Sequence, residues 1–80
     1  MADRTVLQDW LQEALRSNGG KGRIPEVCRI VWERHEDELR GAGDLFFTWQ
    51  YDIRWAANRL RRKKIMKAVE ISPAGLWELV

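Results

Sequence analysis

Cysteine and long apolar runs are both scarce in this chain, and each scarcity excludes something. The single cysteine, Cys28, rules out an intramolecular disulfide and a Cys-rich zinc module. No apolar run approaches the roughly 20 residues that a bilayer crossing needs. Met1-Ala2-Asp3-Arg4-Thr5 leads into a polar amphipathic segment and not into a signal-peptide core, so a cytoplasmic location with no membrane contact is expected. Repeats, linkers and low-complexity tracts are also missing. What remains is 80 residues, room for one domain spanning 1–80. The scaling of area with mass gives a folded surface near about 5,000 Å² with roughly 60 to 65 % of the chain's surface hidden. With 45 % hydrophobic and 32 % charged residues, the chain has enough apolar content to fold alone. Packing in one small core must hold it.

Net charge is only +2, but its distribution is uneven. From Trp49 to Lys67 seven basic residues (Arg54, Arg59, Arg61, Arg62, Lys63, Lys64, Lys67) face one acid, Asp52, a net of +6. Residues 1–48 carry a net of −2, and residues 68–80 add Glu70 and Glu78 for another −2. The positive end of the molecule is therefore one segment.

Leu7, Trp10, Leu11, Ala14 and Leu15 recur at helical spacing, with Thr5-x-x-Gln8 as a capping box and Gly19-Gly20 as a stop. Arg23-Ile24 precedes a proline and should be extended, which fits a very short strand. Pro25 then opens a second helix with Val27, Ile30 and Val31 inward, Cys28 and Trp32 on its flank and an end near Glu36. Gly41-Ala42-Gly43 reads as a loop, and Asp44 or Thr48 caps a third helix reaching about Lys63. At 100° per residue Trp49, Ile53, Ala56, Ala57 and Leu60 share one stripe, while Tyr51, Arg54, Asn58, Arg61 and Arg62 lie opposite. Ile65, Lys67 and Val69, the turn Ser72-Pro73-Ala74-Gly75, and Leu76 to Val80 suggest two antiparallel strands. The expected fold is α+β: a winged helix-turn-helix of three helices with a small antiparallel sheet, made of the wing hairpin plus the short strand, in which the third helix is the groove-reading element.

The stretch Ile53-Arg54-Trp55-Ala56-Ala57-Asn58-Arg59-Leu60-Arg61, then Ile65, then Ser72-Pro73-Ala74-Gly75-Leu76-Trp77-Glu78-Leu79, resembles the end of the N-terminal winged-helix domain of Mrr-type restriction endonucleases. The shared pattern is an aromatic-Ala pair in the third helix, a leucine four or five residues later, an apolar first wing strand and a Gly-aromatic pair after the turn. It covers roughly the last 35 residues; before them only element order agrees. The resemblance implies a domain that engages DNA ahead of a separate nuclease domain, and by position Trp55, Ala56, Leu60, Gly75 and Trp77 match framework residues. Two positions depart from the pattern. Lys64 stands where a glycine usually follows the third helix, and Ala74 where a basic residue usually precedes the wing glycine. No nuclease domain follows Val80, so a freestanding binding module or a domain excised from a larger protein is expected.

The site reading follows from residue chemistry. Arg54, Asn58, Arg61 and Arg62, joined by Gln50 and Tyr51, combine phosphate-seeking cations with side chains that read base edges. Gln50, Tyr51, Arg54 and Asn58 are assigned to base edges of double-stranded DNA, and Arg61, Arg62 and Lys67 to phosphates, with steep salt dependence. Lys63 and Lys64 are also explained by the helix macrodipole alone. Trp55 should be covered by the wing, by Trp77 or Leu79; if exposed, it would form with Tyr51 an apolar patch for a protein partner. Five tryptophans in so small a core keep open the alternative of a homodimerisation or protein-interaction module. Trp10, Trp32 and Trp49 are read as core. Cys28 and His35 lie about 10 Å apart on a helix, too far to share an ion, and read as a buried hydrophobe and a residue bordering the apolar face. His35 with Glu38 or with Glu36-Asp37 has too few ligands to hold a metal firmly. Neither Ser17 nor Ser72 sits in a nucleophile elbow, and Gly19-Gly20-Lys21-Gly22-Arg23 lacks Walker spacing. No enzyme activity, cofactor or small-molecule ligand is expected.

Overall fold

The computed structural model describes residues 3–80, in the order α1 (Val6–Ser17), β1 (Lys21–Arg23), α2 (Ile24–Arg40), α3 (Leu45–Arg62) and β2 (Leu76–Glu78). It is a small α+β domain of three helices and a two-stranded antiparallel sheet, and its surface of 5220 Å² is close to the area expected from mass.

α1 buries Leu7, Trp10, Leu11, Ala14 and Leu15, the whole of its predicted stripe. Its cap differs from the expected box. Thr5 makes no side-chain cap bond; Asp3 Oδ1 accepts the Thr5 N–H at 2.9 Å and the Thr5 hydroxyl as well. These bonds favour the ionised carboxylate and lower the pKa of Asp3. The helix stops as the glycines demand. Gly19 and Gly20 take φ of 79° and 90°, and the Gly20 N–H donates to the Leu15 carbonyl at 2.7 Å, a Schellman closure.

β1 pairs with β2 in the register Lys21↔Glu78, Gly22↔Trp77, Arg23↔Leu76. The extended residue before the proline is Arg23, and Ile24 already begins α2, one residue earlier than the sequence suggests. Ile24 serves both elements, since its N–H still donates to the Gly75 carbonyl at 3.1 Å. Gly22 is a steric necessity: a Cβ there would lie 2.8 Å from Asn18 Nδ2 and 2.9 Å from Val27 Cγ2.

α2 runs past the expected end at Glu36. It breaks at His35 (φ −128°, ψ 23°) and then winds on to bury Leu39. The break coincides with a contact from outside the helix, because the His35 ring stacks on Trp10 of α1 with centroids 4.0 Å apart and planes 7° apart.

The hairpin expected from the sequence over residues 65–80 is reduced. Its first strand is a single bridge, Met66↔Leu79, on the far edge of β2, flanked by bonds from the Lys67 N–H to Glu78 O (2.9 Å) and the Val80 N–H to Ile65 O (3.0 Å). Beyond Lys67 the chain coils, with the N–H groups of Ile71 and Ser72 both donating to the Ala68 carbonyl. Met66 is the inward residue, and Val69, which the alternation placed in the strand, is exposed.

Candidate nucleic-acid interface

α3 is positioned by its apolar side. Leu45, Trp49, Ile53, Ala56, Ala57 and Leu60 are buried against α1 and α2, so the opposite side must face solvent. Asp44 occupies the N-cap position without a side-chain cap bond, and Thr48 instead donates to Asp52 Oδ2 at 2.7 Å. At the other end Lys64 adopts φ 63°. The Lys64 N–H donates to Arg61 O (3.1 Å) and the Ile65 N–H to Leu60 O (2.9 Å), the two bonds of a Schellman motif with lysine in the glycine position. The departure noted in the sequence is thus met by a lysine in the left-handed region.

On the solvent side Phe47, Tyr51, Arg54, Asn58 and Arg62 follow one another at spacings of three and four, all exposed, over about 22 Å of helix axis. Gln50 flanks them, also exposed. Among the described residues no carboxylate lies in ion-pair range of Arg54, Arg61 or Arg62, the ion pairs being Arg34–Glu13, His35–Glu13, His35–Glu38, Arg40–Glu36 and Lys67–Glu78. The acid in this segment, Asp52, accepts the Thr48 hydroxyl and takes part in none of these ion pairs.

The seven cations of this segment do not act as one patch. Arg61 is half-buried and held, its Nε donating to Lys67 O and its Nη1 to Asn58 Oδ1, both at 3.3 Å. Lys67, expected on phosphate, is half-buried and ion-paired with Glu78 at 3.4 Å. Lys63 donates to Gln8 of α1 at 2.8 Å, away from the strip. Arg59 turns over Trp55, 5.6 Å from the ring centroid. Trp55 itself is half-buried against the core, and the Arg4 guanidinium lies over its ring, 4.2 Å from the centroid, a cover that the expectation of Trp77 or Leu79 did not include.

Phe47, absent from the residues the sequence points to, is 83 % exposed, more than Tyr51 at 78 %. Phe47 lies one turn before Tyr51 on the same face, and fixing the helix start at Asp44 would have revealed it. Of the other tryptophans, Trp10, Trp49 and Trp77 are buried, while Trp32 is half-buried, stacked on Trp49 at 6.2 Å and covered by Arg40.

The remaining candidates have structural roles. Cys28 is half-buried, and burial raises its thiol pKa, an effect opposed by the charge of Arg54; the thiol is therefore poorly nucleophilic. His35 Nδ1 lies 2.8 Å from Glu38 Oε1 and Nε2 lies 2.9 Å from Glu13 Oε1, so both ring nitrogens are engaged. The bond with His35 lowers the pKa of Glu13, and the charges of His35 and Arg34 act in the same direction against desolvation. Among the described residues no cluster of three or more His, Cys, Asp or Glu is placed to hold a metal ion, and no helix is long and apolar enough to cross a membrane. No protein-family model, characterised protein or solved structure matches the chain significantly.

Proposed function

We propose that this domain is a winged helix-turn-helix module that binds double-stranded DNA through α3 and has no catalysis of its own. The observation that carries the reading is the strip on α3: two aromatic rings followed by guanidinium groups free of carboxylates with an amide between them, on a helix whose other side is locked into the core. Arg54 and Arg62 are suited to phosphate or guanine, and Gln50 and Asn58 to adenine. The four-residue turn from Gly41 to Asp44 between α2 and α3 has the length of a helix-turn-helix connection. The order of pairing, β1 then β2 then the Met66 bridge, suits a short wing. Kinship with the winged-helix domain of Mrr-type endonucleases is part of the proposal; the left-handed Gly75 and buried Trp77 suit the framework roles that the motif implies for them.

Exposed Phe47 and Tyr51 favour a second reading, a homodimerisation or protein-interaction surface on the same helix. An NMR titration with a random-sequence duplex separates the two. Shifts along α3 and the 66–80 segment that fade as salt rises support DNA binding. Absence of shifts, with concentration-dependent broadening around Phe47 and Tyr51, would replace it with self-association.

A further inference from the structure

We propose that the cavity between α3 and the Ser72–Trp77 segment binds a single nucleotide that has left the base stack. In its strand-borne form this rests on the DNA-binding reading, and it adds what form of DNA the domain prefers. The cavity measures about 340 Å³, within the range of small-ligand sites. Its lining is of two kinds. Ala57, Leu76 and Trp77 contribute apolar wall, while Arg54, Asn58 and Arg61 bring two guanidinium groups and an amide, and Ser72 completes the lining with its hydroxyl buried within the wall. A nucleotide has the matching halves, a flat base whose edge takes hydrogen bonds and a phosphate that takes guanidinium.

Three observations converge on this cavity. Ser72 is 8 % exposed, and its Oγ is buried with no hydrogen-bond partner; a buried hydroxyl left unbonded is uncommon and calls for an explanation. Arg61 is fixed at the wall by its bonds to Lys67 O and Asn58 Oδ1, so its charge is oriented there without a neutralising carboxylate. Arg54 and Asn58 belong both to the cavity lining and to the exposed strip. A strand following α3 therefore passes the cavity mouth, where one residue can turn in while its neighbours stay on the strip.

The test compares the full chain's affinity, by fluorescence anisotropy, for two duplexes identical except for one extra unpaired nucleotide, with free deoxynucleoside monophosphates titrated in parallel by NMR. Extruding a paired base costs free energy that an unpaired one does not, so the bulged duplex is expected to bind about tenfold tighter. Ser72→Ala and Ala74→Phe, the latter filling the cavity from its exposed lip, should erase that preference while affinity for the paired duplex holds. Saturable monophosphate shifts confined to the cavity, without a bulge preference, would support the site and assign it to free nucleotides. Paired-duplex binding with neither bulge preference nor monophosphate shifts would overturn the inference and leave the DNA reading intact. A bulge preference untouched by both substitutions would overturn the assignment to this cavity. Loss of all duplex binding would sink the DNA reading itself.

Discussion

Replacing Arg54 and Arg62 together by alanine isolates the electrostatic part of the proposed interface. Both side chains are exposed, and no carboxylate or backbone group of the described residues holds them. Their removal should leave the fold untouched. Lys64, exposed at the end of α3 and in no ion pair among the described residues, adds a further cation; if it, Arg54, Arg61 and Arg62 each neutralise one phosphate, the slope of log affinity against log salt is about −3.6, at roughly −0.9 per contact. Raising salt fourfold, from about 50 to 200 mM, then weakens binding by about 150-fold. The double variant keeps two contacts, halving the slope to about −1.8 and the loss to about 12-fold. Anisotropy titrations at three salt concentrations measure both slopes, and urea unfolding measures the stability difference, expected within about 0.5 kcal/mol of zero. An unchanged slope in the variant would refute the reasoning, because it would show that these guanidinium groups meet no phosphate. Arg61 is unsuitable for the same experiment. It supports the Lys67 carbonyl, so its loss mixes a stability cost of about 0.5–1.5 kcal/mol with any loss of binding.

Three further outcomes test the fold beneath the interface. Lys64→Gly should stabilise the domain by about 0.5–1 kcal/mol, since a left-handed lysine costs about 1–2 kcal/mol and glycine returns part of that gain as chain entropy; a rise in melting temperature of about 2–8 °C is the readout. Gly22→Ala should destabilise it by about 1–3 kcal/mol in urea unfolding, because the new Cβ meets Val27 of the core and an Asn18 side chain already tied to Lys21 and Glu26. Glu13 has a folded pKa below its ordinary value, so between those two values the folded state binds fewer protons than the unfolded one. Its stabilisation is therefore present at neutral pH and is lost as pH falls through that window. The effect is small because the carboxylate is partly solvated, and Glu13→Gln should flatten the acid limb of the stability curve measured by urea unfolding against pH.

The helices were legible because each carries its own period. Leu7 to Leu15 and Trp49 to Leu60 repeat over three or more turns, and burial follows those stripes residue by residue. The pairing of Met66 with Leu79 was not legible for the opposite reason. A pairing of one bridge gives alternation too few positions to register, so the alternation marks Ile65, Lys67 and Val69 where Met66 is the fully buried residue. Other misreadings come from contacts distant in sequence. Nothing local to Trp55 announces that Arg4 will cover it, and nothing local to His35 announces the Trp10 ring that coincides with the break in α2. In the candidate site, the exposure of Arg54, Asn58 and Arg62 was readable from the wheel. The withdrawal of Lys67 was not, because its partner Glu78 lies across the turn.

The shape of the strip on α3 bears on which partner it suits. A protein interface is generally concentric, with apolar and aromatic residues at its centre and charge at the rim. Here the two kinds of residue succeed one another along the helix: Phe47 and Tyr51 in the first half, Arg54, Asn58 and Arg62 in the second. A duplex groove presents a linear sequence of this kind, with thymine methyls for aromatic contact, base edges for amide and guanidinium, and phosphates along the margin. A self-associating pair related by a twofold axis would have to set one copy's aromatic half against the other's, or against its cations, and the first arrangement leaves the guanidinium groups without acidic partners. α3 itself carries a single carboxylate, Asp52, which accepts the Thr48 hydroxyl one turn earlier and lies outside ion-pair range of these guanidinium groups. The linear order of aromatic and cationic residues, with no acid paired to the cations, is what supports the proposed nucleic-acid partner over a second copy.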